Sequence, residues 1–192
     1  MPRLWNDTIE THRRDVREAI LDAAGLLANE HGVLAATMSR IAEEAGIGRA
    51  TLYKYFPDAE AVLHAWHERH VSEHLEQLTG LASVVGTADQ RLEAALLGYA
   101  RICHFRTRHG AADVGALVHQ GAAVSDAEQK LKKLFGDLLA ECQAAGGVRD
   151  DISVDELAAY CLHALSAAGS LPSEAATKRL VAVALSALRA TA

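Results

Sequence analysis

Three times the chain sets a Ser or Thr three residues ahead of a Glu or Gln, just before an apolar run: Thr87 with Gln90, Ser125 with Glu128, and Ser153 with Glu156. In such a pair the hydroxyl accepts a hydrogen bond from the backbone N–H three residues on, and the longer side chain reaches back to the first residue's own N–H, so the pattern marks a helix start. Apolar residues beyond these starts recur at helical spacing, as in Leu92, Leu96, Tyr99 and Cys103, with almost no strict alternation. Stops match the starts: Gly32, Gly46, Gly110 and the pair Gly146-Gly147 close helical runs, and Pro57 ends another. An all-α chain of about nine helices is expected.

The spacing predicts helices over 14–31, from Ser39 to the Gly46 stop, over 49–56, and from an Asp58 cap to about residue 78. Further helices are expected after Thr87, around 114–121, from Ser125 to the Gly146-Gly147 stop, and at about 155–168 and 173–190. The last two are apolar nearly all the way round, so more than one of their sides must be covered. On the final helix Leu180, Val181, Ala184 and Leu188 form an inward arc, while Ala175, Ala182 and Ser186, flanked by Leu185, form an outward arc of small side chains that suits a second copy of the chain.

Composition narrows the function classes. A formal net charge of −6 gives no overall attraction to phosphate, so any nucleic-acid role must rest on basic and hydroxyl groups gathered on one face. Cys103, Cys142 and Cys161 are an odd, dispersed set and do not form a disulfide framework. The opening run MPRLWNDTIETHRR lacks the apolar stretch of a signal peptide, and no run suits a membrane span, so a cytoplasmic protein with no membrane association is expected.

The densest patterning lies between Thr37 and Leu63, TMSRIAEEAGIGRATLYKYFPDAEAVL. Two short helices joined by AGIG have the proportions of a helix-turn-helix, with Gly46 relieving the turn and Ile47 plugging the angle between the helices. Leu52 and Phe56 then face inward with Ile41 and Ala45, leaving Arg49, Thr51, Tyr53, Lys54 and Tyr55 for solvent or DNA. Tyr and Thr hydroxyls can bond phosphate oxygens, and Arg can pair with O6 and N7 of guanine.

This stretch closely resembles the helix-turn-helix of the TetR family of one-component transcriptional regulators, at Gly46, Thr51, Leu52, Tyr53 and Phe56 and over roughly residues 14–63. The resemblance implies a helix-turn-helix DNA-binding domain over 1–57 and a helical effector-binding and dimerisation domain over 58–192. It implies that Thr37, Thr51, Tyr53 and Tyr55 hold phosphates, that Ser39, Arg49 and Ala50 face base edges, and that Lys54 adds charge along the backbone. Two departures stand out: Gly48, where the family often has Ser or Thr to cap the second helix, and Ala59, where it often has Lys. An arm carrying Arg3, Trp5, Arg13 and Arg14 precedes the first predicted helix and offers further contacts to DNA.

For the larger domain the resemblance implies a small-molecule effector between the middle helices, with Tyr99, Cys103, His119, Phe135, Leu138, Tyr160 and His163 as the expected lining. The resulting reading is a homodimeric repressor that binds a palindromic operator in double-stranded DNA and is released by an unknown effector, with no cofactor, no metal and no catalytic residue. A second reading takes His67, His70 and His74 as a metal- or pH-sensing stripe in a DNA-binding regulator. A third, a helical enzyme, would draw on Cys103-His104, on Cys161 with His163, or on His119, none of which has the spacing of a ready dyad on one helix.

Overall fold

The computed structural model describes residues 3–108 and 122–189. Among these residues there are eight α-helices: α1 Arg3–His31, α2 Met38–Glu44, α3 Arg49–Leu52, α4 Ala59–Ala82, α5 Ala88–Arg108, α6 Ala122–Ala144, α7 Val154–Ser166 and α8 Glu174–Leu188. Short 3-10 turns at Val33–Ala35 and Ala167–Ser170 complete the order. The helix expected around 114–121 and the Gly110 stop lie outside the described residues.

Local chemistry accounts for most of the ends. Thr87 and Gln90 exchange backbone-to-side-chain hydrogen bonds at 3.0 and 3.3 Å, and Ser153 with Glu156 does the same at 3.1 and 3.4 Å. Asp58 accepts from the N–H of Ala61 at 2.8 Å and so starts α4. Both α2 and α6 close in a glycine turn with positive φ, at Gly46 and Gly146. In each the glycine N–H and the next N–H reach back to the last-turn carbonyls, Gly46 to Glu43 and Ile47 to Ala42, Gly146 to Gln143 and Gly147 to Cys142.

Four expectations about boundaries are corrected. The arm is the first part of a helix: Arg3, Trp5, Arg13 and Arg14 all lie in α1, because no Gly or Pro interrupts residues 3–24. The cap of α2 is Thr37, whose Oγ1 accepts from the N–H of Arg40 at 3.4 Å, while Ser39 lies inside the helix. Ser125 does not start α6, since Ala122, Ala123 and Val124 already carry the helix upstream of it. α3 is a single turn that ends at Leu52 instead of reaching Phe56. Gly48 supplies no side-chain cap at its start, and Pro57 turns the preceding residue away from helix at its end.

The described residues fall into two compact units, 3–69 and 70–108 with 122–189, and the division between them lies within α4. In the first unit Ile20, Leu21, Ala24 and Leu27 of α1 share a core with Ile41, Leu52, Phe56, Val62 and Trp66. Arg69 of α4 donates to Glu18 and Asp22 of α1, each at 2.6 Å. In the second unit α5 packs on α6, α7, α8 and the 167–170 turn. Its core gathers Leu92, Leu96, Phe135, Leu139, Leu157, Leu165 and Leu188. Burying each such side chain contributes roughly 1.5–3 kcal/mol before the entropy of ordering it is counted.

Candidate nucleic-acid interface and cavity

The helix-turn-helix is oriented by what it hides. Ile41 and Leu52 are fully buried and Phe56 nearly so, with Ile47, Ala45 and Tyr55 packed half-buried against the same core. With that face fixed, Thr37, Ser39, Arg49, Ala50, Tyr53 and Lys54 are exposed and Thr51 is half-exposed. The eight residues expected to meet DNA thus lie at the cap of α2, on α2 and α3, and in the turn after α3, and Tyr55 is the one among them that also serves the core. Thr37 Oγ1 already accepts from Arg40, which leaves its O–H free to donate. Arg17 of α1 lies over the Phe56 ring at 5.3 Å, a cation–π contact that holds the end of this motif against α1.

The histidine stripe is not a single solvated face. His67 is buried at 6% exposure, while His70 and His74 meet edge to face with ring centroids 4.2 Å apart, and His70 lies 3.6 Å from Glu73. Among the described residues no group of three or more His, Cys, Asp or Glu is placed to hold a metal ion. Of the residues considered for catalysis, His119 lies outside the described residues, and the two described Cys–His pairs are not arranged as dyads. Cys103 and His104 are both buried, with His104 Nδ1 3.1 Å from the Ala168 carbonyl. Cys161 is buried and His163 exposed, so the two point apart. Burial pushes the thiol of Cys161 up to about 12. Burial, reinforced by a hydrogen bond to Asp89, takes Cys142 to the same value.

The expected effector lining is dispersed. Cys103, Phe135 and Leu138 are buried in the packed core of the second unit, and Tyr99 meets Phe135 edge-on with centroids 5.7 Å apart. Tyr160 and His163 are exposed, and His119 lies outside the described residues. A cavity of about 370 Å³ opens instead between α4 and α5, where His74, Gln77 and Leu81 face Leu97, Arg101 and Phe105. Of these residues sequence reasoning marked His74 alone, and as part of the histidine stripe. The signal available was the pair of helices itself: the five residues between α4 and α5 force an antiparallel hairpin, and polar residues at its inner positions then face one another.

A one-sided helix-turn-helix with hydroxyl and basic groups outward, followed by an all-helical unit with its own core, is the plan of a DNA-binding regulator of the one-component type. The chain matches the family model for bacterial regulatory proteins of the tetR family over residues 20–66, and that for the C-terminal domain of SbtR-like transcriptional regulators over residues 58–190. It belongs to the TetR family. Among curated relatives, the repressor LfrR of Mycolicibacterium smegmatis is 40% identical over 71 residues, covering 36% of this chain and 36% of its own. The repressor KstR of Mycobacterium tuberculosis is 28% identical over 140 residues, 72% of this chain and 63% of its own. The chain thus spans about a third and somewhat under two thirds of the length of these relatives. A solved TetR regulator of Streptomyces coelicolor is 29% identical, with a TM-score of 0.65 over 92% of this chain and 99% of that one. A TetR/AcrR-family regulator of Thermobifida fusca, at 22% identity and a TM-score of 0.75 over 89% and 97% of the two chains, shares the fold.

Proposed function

We propose that the protein is a transcriptional repressor that binds a palindromic operator as a homodimer and is released when a small molecule occupies its second unit. The observation that carries this reading is the exposed set Thr37, Ser39, Arg49, Tyr53 and Lys54, held on one face by the burial of Ile41, Leu52 and Phe56. Phosphate contacts from Thr37, Thr51, Tyr53, Tyr55 and Lys54 position the motif, and Ser39, Arg49 and Ala50 meet base edges. Both curated relatives are repressors, which supports the sign of regulation.

Assembly through α7 and α8 is supported by what these helices leave uncovered. Val181, Ala184 and Leu188 of α8 are buried and Leu180 half-buried, whereas Ala175, Ala182 and Ser186 are exposed, with Leu185 half-buried. Val183 at 64% exposure and Tyr160 at 40% add large apolar surface. An apolar face of small residues lets another helix approach closely. Release follows if the effector prefers a dimer whose heads no longer match half-sites one turn of DNA apart.

The test is selection of bound fragments from the DNA flanking the protein's own gene, followed by titration at several salt concentrations. A palindromic site bound far more tightly than random DNA, with affinity falling steeply with salt, is expected. Equal binding to all fragments would overturn the reading.

A further inference from the structure

The cavity between α4 and α5 is graded along its length. On α4 the polar His74 and Gln77 precede Leu81, and α4 then runs into the connection to α5. On α5 the lining begins near that connection with Ala94, Leu97 and Gly98, and only later reaches Arg101. Because the two helices run antiparallel, His74 and Arg101 fall together at the end far from the connection, beside Ile102 and Phe105, while the near end, at Leu81, Ala94 and Leu97, is wholly apolar. Gly98 lets Leu78 and Leu81 of α4 close on α5 there: a Cβ at this position would lie 2.6 Å from Leu81 Cδ1 and 3.0 Å from Leu78 Cδ2.

The full charge carried by the lining side chains is the guanidinium of Arg101. Among the described residues no Asp or Glu lines the cavity, whereas Arg101, His74 and Gln77 are side chains that carry N–H groups. Arg101 is already engaged at one edge, donating to Glu174 at 2.6 Å, and Lys178 lies 3.7 Å from the same carboxylate. An isolated second negative charge would find no further cation among the lining residues.

We infer that this cavity is the effector site of the proposed repressor, and that it takes an amphipathic monoanion, with a carboxylate against Arg101 and His74 and an apolar body running toward Leu81 and Ala94. The assignment rests on the repressor reading only for the word effector; the binding chemistry stands on the lining. At about 370 Å³ the space suits a compact aliphatic or aromatic acid. A cation is disfavoured by the guanidinium. A neutral alcohol forgoes the charge-assisted bond.

The experiment is isothermal titration of the full chain near pH 7, without DNA, using decanoate, decanol and decyltrimethylammonium, each below its micelle concentration. Decanoate is expected to bind once per chain, with the other two at least about tenfold weaker. Arg101→Gln should bring decanoate down to the level of decanol and leave decanol unchanged. Glu174→Gln, which frees the guanidinium and keeps its charge, should retain or tighten decanoate binding. Gly98→Leu, checked for native helix content by circular dichroism, should abolish binding of both. Equal binding of all three probes, loss of decanoate in Glu174→Gln but not in Arg101→Gln, or unchanged binding in Gly98→Leu would each overturn the assignment. A chain that never binds an operator still reports on the site, because no DNA enters this titration. Decanoate that binds here while leaving an established operator complex intact would refute the effector role.

Discussion

Gly25 and Gly136 both sit inside helices, yet replacing each with Ala should move stability in opposite directions. In α1, a Cβ on Gly25 would meet the Trp66 ring, with Cε2 at 2.9 Å, Cδ1 at 3.0 Å and Nε1 nearer still. Carbon atoms pack best at about 3.5–4.0 Å, so either the indole leaves its rotamer or α1 and α4 part locally. The ring is rigid and only 5% exposed, which leaves it nowhere cheap to go. Overpacking of this kind costs about 1–3 kcal/mol, and Ala in place of Gly in a helix returns about 0.8–1 kcal/mol. Gly25→Ala should therefore lose up to roughly 2 kcal/mol net, toward the upper end because the ring is rigid. Gly136 in α6 has nothing within 4 Å of the same added atom, so Gly136→Ala should gain up to about 1 kcal/mol. Urea unfolding followed by tryptophan emission isolates the first unit, since Trp5 and Trp66 both belong to it, and circular dichroism follows the whole chain. A Gly25→Ala protein at least as stable as wild type would refute the packing argument, and so would shifts of the same sign in both variants.

Arg49→Ala should cost about 1–3 kcal/mol of operator binding and relax preference at one base position, whereas Tyr53→Phe should weaken all sequences alike; equal, sequence-blind losses would remove Arg49 from base reading. With thiols raised to about 12, Cys142 and Cys161 should resist dithionitrobenzoate at about pH 8 until the chain is unfolded, and rapid native labelling of either would contradict that burial. Glu156, held below its ordinary 4.5 by hydrogen bonds with Ser153, Glu174, held below the same value by Arg101, and Asp151, held below 3.8 by Arg149, bind protons more weakly folded than unfolded. Their contribution is complete above those ordinary values and is lost as pH falls through the depressed ones, so the urea midpoint should drop below about pH 4.5, and less so in Glu156→Gln; a flat midpoint down to about pH 3 would argue against it. Ala182→Glu with Ser186→Glu should abolish the dimer while leaving helical circular dichroism intact, and a double variant that still sediments as a dimer at micromolar concentration would move the interface elsewhere.

What could be read from the chain in advance was whatever depends on neighbours a few residues away. The boxes at Thr87 and Ser153, the Asp58 cap, the Gly46 and Gly146 stops, and the inward set Ile41, Leu52 and Phe56 are all short-range, and all are present in the fold. Ser125 shows how such a signal misleads: Ala122 and Ala123 are good helix formers, so the helix was already under way when the box arrived. The same holds for residues 3–13, where a polar composition reads as an arm although nothing in it breaks a helix. The cavity was out of reach for another reason. Which of the polar residues of α4 meets which of α5 depends on how two helix faces align across a hairpin, and neither helix carries that alignment in its own periodicity. Burial of His67 beside the more open His70 likewise depends on the partner surface and not on spacing.

The contact of Arg69 with Glu18 and Asp22 has a mechanical meaning. One guanidinium grips two carboxylates a turn apart on α1, so it resists rotation of α4 about its own axis as well as sliding along α1. From Ala59 to Arg69 the helix is then a beam fixed at both ends, by the Asp58 cap and by this bracket, over roughly 15 Å at 1.5 Å per residue. A fixed beam transmits torque without absorbing it. Raised ionic strength loosens the bracket, because Asp22 stands largely in solvent.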